Sequence, residues 1–246
     1  HYPTQTAEEV QEDYARLLQY SLYFYDGLMC GDQVNETSAY SWRDDCHDHV
    51  EGTTEYDGIT NGGFHDAGDH VMFGLPAGFS ASTLGWSLYE FREQYDALNQ
   101  TAHTKVITDH YADFFNKCIR TNSETGKTEI LVQKGHGNTD HAYWGIPEGQ
   151  TQDKFAKDSI EYWVSGTGAD IASEYAAALA LSYLNFYDTA SEDEKPIYAE
   201  YLQTAKKFYQ YALDNPRCLN EDNINVDETG AGGYYISSDY KDDMAW

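Results

Sequence analysis

Four ionisable side chains fall within six residues in the stretch Asn61-Gly62-Gly63-Phe64-His65-Asp66-Ala67-Gly68-Asp69-His70. Glycine reaches backbone angles closed to other residues, so Gly62 and Gly63 suit a tight loop that aims His65, Asp66, Asp69 and His70 into a cleft. Such a group could activate water, ligate a metal, or cap the helix into which Val71-Met72-Phe73-Gly74-Leu75-Pro76 leads. A polar capping turn is the plainest reading. Two carboxylates and two imidazoles between small residues favour chemistry.

A second constellation precedes it. Cys30 and Cys46 are separated by 15 residues, His47 follows directly, and 17 more precede His65. Two thiolates and two imidazoles make a closed tetrahedral zinc set, able to staple a segment that lacks regular structure. A Cys30–Cys46 disulfide with ordinary histidines is the alternative, and spacing alone leaves both open. A third group, Thr189-Ala190-Ser191-Glu192-Asp193-Glu194 with Asp242, offers the carbonyl and carboxylate oxygens that calcium takes, or else solvated acids ahead of a helix.

The elements that must position these groups read as helices. Thr6-Ala7-Glu8-Glu9 fits a capping box, followed at helical spacing by Val10, Tyr14, Leu17, Leu18, Ser21, Leu22 and Tyr25, with Gly27 as a natural end. Further helices are expected over about 76–95, 104–120, 170–187 and 196–213, and a sixth begins near Asp242. The fourth is Ala-rich, which allows close packing, and Pro196 suits a first turn. Ile130-Leu131-Val132 is short enough to be a lone strand. Residues 28–63 and 135–168 are long and nonperiodic, and loops of that length in a compact domain are usually functional or metal-tied. The expectation is an all-α array of helical hairpins with its loops gathered at the ends. Because a helix starts where the chain stops, the chain reads as the N-terminal portion, residues 1–246, of a larger single domain.

Composition narrows the classes. The aromatic content of 15%, with 22 Tyr among 246 residues, supplies apolar area for a core and argues against disorder. A net charge of −27 repels a phosphate backbone and suits a neutral partner or a cation. No apolar run approaches the ~20 residues of a membrane span, and no basic-apolar leader stands at the start. Four cysteines are too few for a disulfide scaffold. Asn35-Glu36-Thr37 and Asn99-Gln100-Thr101 fit the N-glycosylation pattern, which has meaning only for a secreted eukaryotic protein.

The run from Gly62 to Pro76 resembles the signature of family 9 glycoside hydrolases, the inverting endoglucanases and their relatives. Gly135-His136-Gly137-Asn138-Thr139-Asp140-His141-Ala142-Tyr143-Trp144-Gly145-Ile146-Pro147-Glu148 resembles the family's Gly-Asn-x-Asp-His-x-x-Trp-Gly-x-x-Glu block. Gly168-Ala169-Asp170-Ile171-Ala172-Ser173-Glu174 resembles its next helix start, and the terminal Asp242-Asp243-Met244-Ala245-Trp246 its Asp-Glu-Leu-x-Trp. The resemblance runs from about Tyr14 to Trp246.

It implies an (α/α)6 barrel, only about the first half of which lies in this chain, and hydrolysis of β-1,4-glucosidic bonds with inversion. An inverting enzyme needs a carboxylate base and a carboxylic acid about 6.5–9.5 Å apart. Asp66 and Asp69 share one loop and are not that opposed pair. By resemblance Asp69 is the base, Asp66 helps hold the same water, and the acid is a Glu beyond this chain; Glu148 and Glu174 lie in other motifs. A subgroup of the family carries structural zinc in the pattern of Cys30, Cys46, His47 and His65. Some members bind calcium through positions matching the Thr189 and Ala190 carbonyls, Asp193, Glu194 and Asp242. His141, Trp144 and Tyr143 are expected to line the glucan cleft, where aromatic faces stack on pyranose rings. The remaining tyrosines read as helix packing, Cys118 as an inert core thiol, and Cys218 has no role. Also implied are a β-glucan partner, extracellular location, no nucleic acid, no membrane, and a remainder of the domain beyond Trp246. The competing functions are a metal-dependent hydrolase ligated by His65, Asp66, Asp69 and His70, and a noncatalytic glucan-binding protein on the same scaffold.

Overall fold

The computed structural model describes residues 6–47, 60–150, 161–219, 234–235 and 237–246. Helix α1 (Ala7–Leu28) starts at the expected capping box: the Glu9 amide donates to Thr6 Oγ1 at 3.2 Å, and the Thr6 amide donates to Glu9 Oε2 at 2.7 Å. Gly27 does not end it. The helix runs on through Leu28 because Arg43 caps it, donating from Nη1 to Gly27 O at 2.7 Å and from Nη2 to Met29 O at 2.8 Å. A guanidinium there satisfies carbonyls that a helix end leaves orphaned. A short helix, α2 (Val34–Thr37), interrupts the long loop that follows.

The helix expected over 76–95 is two helices, α3 (Gly74–Glu90) and α4 (Arg92–Ala97), because Phe91 leaves helical geometry with φ −116° and ψ 32°. Helix α5 (Thr101–Lys117) then begins and ends three residues earlier than expected, with Cys118 as its C-cap. The chain continues as β2 (Ile119–Thr121) and β3 (Thr128–Lys134). The expected lone strand is therefore wrong. The strand β3 pairs antiparallel with β2 at one end (Ile119 opposite Ile130), with β1 (Met72–Phe73) at the other (Met72 opposite Lys134), and along its length with β4 (Glu161–Val164). Partners of two to four residues are too short to show a period of two in sequence. The nonperiodic stretch before β4 also holds the short helix α6 (Gly137–His141).

The core lies between α3, α5, α7 (Ala169–Phe186) and α8 (Lys195–Asp214), with α9 (Lys241–Ala245) at the chain end. Gly78, Ala81, Ser82 and Gly85 of α3 are buried, and so are Ala172, Ala176 and Ala178 of α7. Small side chains let these backbones approach closely. Phe115, Tyr175 and Phe208 form a buried aromatic column, with ring centroids 4.3 Å and 5.3 Å apart. Full burial of such a side chain contributes about 1.5–3 kcal/mol. The Tyr175 hydroxyl stays satisfied by donating to Leu131 O at 3.1 Å, which ties the helices to β3. Tyr198 and Tyr211 likewise pack while donating to Asp109 and to the Thr167 carbonyl, so tyrosine as helix packing is what these rings do. Cys118 is fully buried and donates to Phe114 O; burial pushes its thiol well up, leaving it inert. Among the described residues no helix is long and apolar enough to cross a membrane.

One core group carries a pH dependence. Glu174 of α7 is 2% exposed, accepts from Ser82 Oγ at 3.0 Å, and lies under Trp246, whose Nε1 donates to Ser82 at 2.8 Å. Burial pushes Glu174 up to about 7, despite the Ser82 hydrogen bond, and Asp243 and Asp242 add to the rise. A carboxyl raised in the fold stabilises while protonated, so that stability declines as pH climbs from about 4.5 to about 7. Glu174→Gln mimics the neutral form. Its melting temperature is expected to match the parent near pH 4.5 and exceed it at pH 8, by about 2–4 °C for each kcal/mol recovered. Calorimetry at both pH values checks this, and a constant offset across the range contradicts it.

Candidate functional site

Backbone pairing builds the site before any side chain does. The segment after α1 is bonded on two sides, with Cys30 N donating to Gly63 O at 2.9 Å and Gly31 N to Cys46 O at 2.9 Å. On the same edge His65 N donates to Leu28 O at 2.9 Å. Residues 30, 46 and 65 are thereby drawn together although far apart in sequence. Gly62 and Gly63 hold φ of +100° and +98°, as the loop reading requires, and a Cβ on Gly63 would lie 2.9 Å from Met72 Sδ. His110 of α5, which the sequence did not mark, donates from Nε2 to the carbonyls of Cys30 and Gly63 at 2.8 and 3.1 Å. Its place on an otherwise ordinary helical stripe gave no signal.

Cys30, Cys46, His47 and His65 are all buried, and one ligand atom from each lies within 4.8 Å of every other. Cys30 Sγ is 3.3 Å from His47 Nδ1, and Cys46 Sγ is 3.5 Å from His65 Nε2. His65 donates its other nitrogen, Nδ1, to the His70 carbonyl at 2.9 Å. That is how proteins fix the tautomer of a metal-binding imidazole. The two cysteines are not bonded to each other. Burial opposes charge on both thiols, yet hydrogen bonds from Cys30 and His65 outweigh it at Cys46 and pull that thiol well down, while Cys30 is pushed well up. This donor set fits a metal ion, and two sulfurs with two nitrogens match the ligand preference of tetrahedral zinc sites.

The four groups of the Gly-flanked loop do not converge on one ion. His65 turns to the cysteines. Asp66 accepts from the Tyr235 hydroxyl through Oδ2, and its amide closes the loop onto Val71 O at 3.0 Å. Asp69 Oδ2 accepts from His141 Nδ1 at 2.6 Å, and its Oδ1 from the Val71 amide at 3.3 Å. His70 is 7% exposed, and its ring meets the Gln150 side chain. Among the described residues the Cys/His quartet alone gathers three or more such ligand atoms. Burial raises the pKa of Asp66; the Tyr235 hydrogen bond opposes this and the Asp69 charge adds to it. Burial also lowers that of His70, with His65 adding to the effect, so its ring stays neutral.

Around these carboxylates the structure brings some expected residues together and separates others. His141, at the end of α6, is largely exposed apart from its bond to Asp69. Tyr143 packs edge-on against His70 with centroids 5.6 Å apart, and Trp144 is 96% exposed. Tyr235, missed by the sequence reading, rests on Phe73 at 5.1 Å. The one available signal was a Tyr-Tyr pair directly after the Gly-rich run at 230–233. Glu148 forms an ion pair with the buried Arg43 at 2.7 Å; that partner, against the effect of burial, holds its pKa below the ordinary value. A carboxylate so paired cannot serve as a proton donor, and Glu174 lies in the helical core.

The acidic turn is committed to local bonds. Glu194 Oε2 accepts from the amide and hydroxyl of Ser191 at 3.0 and 2.8 Å, and its Oε1 accepts from Lys105 at 3.3 Å. Asp193, Glu194 and Asp242 do not gather within the distance that unites the Cys/His quartet.

Comparison with known proteins follows the same outline. Residues 14–246 match the profile of Glycosyl hydrolase family 9. The chain is 33% identical to "Endoglucanase 4" of Bacillus sp. (strain KSM-522) over 95% of its own length and 34% of that protein. It superposes on the catalytic domain of Clostridium thermocellum CelT with a TM-score of 0.77 and 37% identity, covering 95% of this chain and 50% of that one. For the cellulase Cel9M of C. cellulolyticum in complex with cellobiose the values are 0.75 and 34%, with 95% and 49% covered. The chain thus spans about a third to a half of these relatives, and its helices form about half of an (α/α)6 barrel. The chain belongs to glycosyl hydrolase family 9.

Proposed function

We propose that this chain is the N-terminal portion of an endo-β-1,4-glucanase and supplies the water-activating side of its active site. The supporting observation is the loop in which Asp69 is held by His141 at 2.6 Å while Asp66, three residues earlier, is held by Tyr235. In this reading the Asp69 carboxylate takes a proton from water as the water attacks the anomeric carbon. Asp66 accepts a second hydrogen bond from that water and fixes its line of approach. A carboxylic acid from outside these residues protonates the leaving oxygen, across the gap of about 6.5–9.5 Å that inversion requires. The exposed face of Trp144, with Tyr143 and His141 beside it, suits stacking against the apolar faces of glucose rings. The net charge of −27 favours a neutral glucan over any polyanion, and an extracellular enzyme of this kind meets cellulose directly.

The Cys/His quartet is read as a structural zinc site. Zinc, when bound, would close the irregular segment upon itself and hold His65, the neighbour of Asp66. All four positions would be taken by protein ligands, which would make the site closed and structural rather than catalytic. One zinc per chain is expected by elemental analysis, with Zn–S about 2.3 Å and Zn–N about 2.0–2.1 Å by X-ray absorption. His65→Ala is expected to lower zinc content, melting temperature and turnover together. A native Cys30–Cys46 disulfide with no stoichiometric zinc contradicts the assignment.

In the full-length enzyme, Asp69→Asn is expected to cut turnover at least about 100-fold, the usual scale of general-base catalysis, while cello-oligosaccharide binding persists. Turnover within a few-fold of the parent rejects Asp69 as base, and retention of anomeric configuration by proton NMR rejects inversion. Unaltered binding without hydrolysis in the parent itself points instead to a noncatalytic glucan-binding protein.

Tyr235→Phe separates the two aspartates. The lost hydroxyl had stabilised ionised Asp66, so that carboxyl's pKa rises further and less of it is ionised at any acidic pH. The acid limb of the kcat/KM profile is expected to move to higher pH, by up to about one unit. A limb that stays in place contradicts a role for ionised Asp66.

A further inference from the structure

We propose that Asp140 is a positioning residue for the general base, and that residues 140 and 141 clamp Asp69 at two points. This rests on the functional reading above. Asp140 is 0% exposed, and its Oδ1 accepts the His70 amide at 3.1 Å. That amide belongs to the peptide plane joining Asp69 to His70, so the bond sets the backbone orientation directly after the base. The next residue, His141, bonds the side chain of the same Asp69 at 2.6 Å. Consecutive residues of one short helix therefore hold the backbone and the carboxylate of one catalytic group.

The two points are not equivalent. The His141 ring is 75% exposed, so water competes for the carboxylate there. The Asp140 bond is sealed. Gly135, with φ +91°, lies against it so closely that a Cβ would sit 2.6 Å from Asp140 Oδ2. Val71 Cα would be 3.4 Å from the same Cβ. Gln150, 2% exposed, meets the His70 ring through its side-chain oxygen. The His70 carbonyl in turn accepts from His65 Nδ1 at 2.9 Å. One residue, His70, thus transmits position from the Cys/His quartet on one side and from Asp140 on the other. The buried contact is the one that defines where Asp69 stands, and the exposed one tunes its carboxylate.

The test uses the full-length enzyme and two variants. Asp140→Ala removes the acceptor, and Asp140→Asn retains an oxygen at the same place. Misplacement of a catalytic group by about 1 Å costs about 100-fold in rate, so Asp140→Ala is expected to lose about that much in kcat with KM for carboxymethylcellulose little changed. Asp140→Asn is expected to recover most of it, with zinc content and cooperative unfolding equal in both. Parent-like turnover in Asp140→Ala, or equal losses in both variants, overturns the proposal. Hydrogen exchange resolved to single residues supplies a second measurement on the parent, independent of variant folding. The His70 amide is expected to be protected, and exchange at the unprotected chemical rate overturns the clamp. If the parent hydrolyses no glucan, the functional reading fails, while the exchange result still decides whether the bond exists.

Discussion

The hydrogen bond from His65 Nδ1 to the His70 carbonyl, 2.9 Å long, is the contact on which the rest of the site depends. It spans the loop that contains both Asp66 and Asp69. At one end it turns His65 Nε2 towards Cys46, which completes the metal-type quartet. At the other it fixes the peptide that follows His70, while Asp140 holds the peptide that precedes it. A buried imidazole with either nitrogen misassigned would leave a polar group unpaired, at a cost of about 1–3 kcal/mol. The loop therefore has one arrangement in which the Cys/His grouping, backbone pairing and carboxylate placement are satisfied together.

Helices alone could not provide this. Ordering irregular backbone costs about 1–2 kcal/mol per residue, and the loops around the site offer few apolar side chains to offset it. Polar nodes take that part. Arg43 joins the end of α1 to Glu148, His110 reaches from α5 to two carbonyls of the cysteine segment, and Asp26 of α1 accepts from His103 of α5 at 2.5 Å. Each node links a regular element to an irregular one. In a chain of net charge −27, most acids remain outside; burial raises the pKa of Asp66, Asp140 and Glu174, whereas Glu148 is matched by Arg43. Asp66 belongs to the first kind and Glu148 to the second, which is why one suits chemistry and the other suits structure.

How much of this could be read from sequence depended on the range of the interaction. The capping box at Thr6 and Glu9 is local, and it appears as expected. Helix positions were legible because a 3.6-residue period accumulates over many turns. The Cys30, Cys46, His47 and His65 set was legible because few chemistries use those residue types together. Short strands were not, since β1 and β4 owe their existence to the longer β3. The break at Phe91 carries no Gly or Pro, and the extension of α1 past Gly27 depends on Arg43, sixteen residues away. Tyr235 was hidden for a similar reason. One of 22 tyrosines gains its role from an aspartate 169 residues earlier.

The acid and the base of an inverting glycosidase face opposite problems of placement. The base must stay ionised and hold water at a fixed distance, so it needs hydrogen-bond donors and a rigid backbone. In the proposed reading of Asp69 as base, this chain provides His141 and the Val71 amide as donors and Asp140 and His65 as the backbone frame. The acid must stay protonated until the leaving oxygen takes its proton, so it needs burial without a cation nearby. Glu148 fails that requirement through Arg43, and Glu174 meets the burial condition inside the helical core, where Ser82 and Trp246 cover it. Neither carboxyl can be recruited as acid without dismantling the contacts that fold the chain. The division of labour follows from that conflict: a segment rigid enough to place the base has already used its other buried carboxyls for structure.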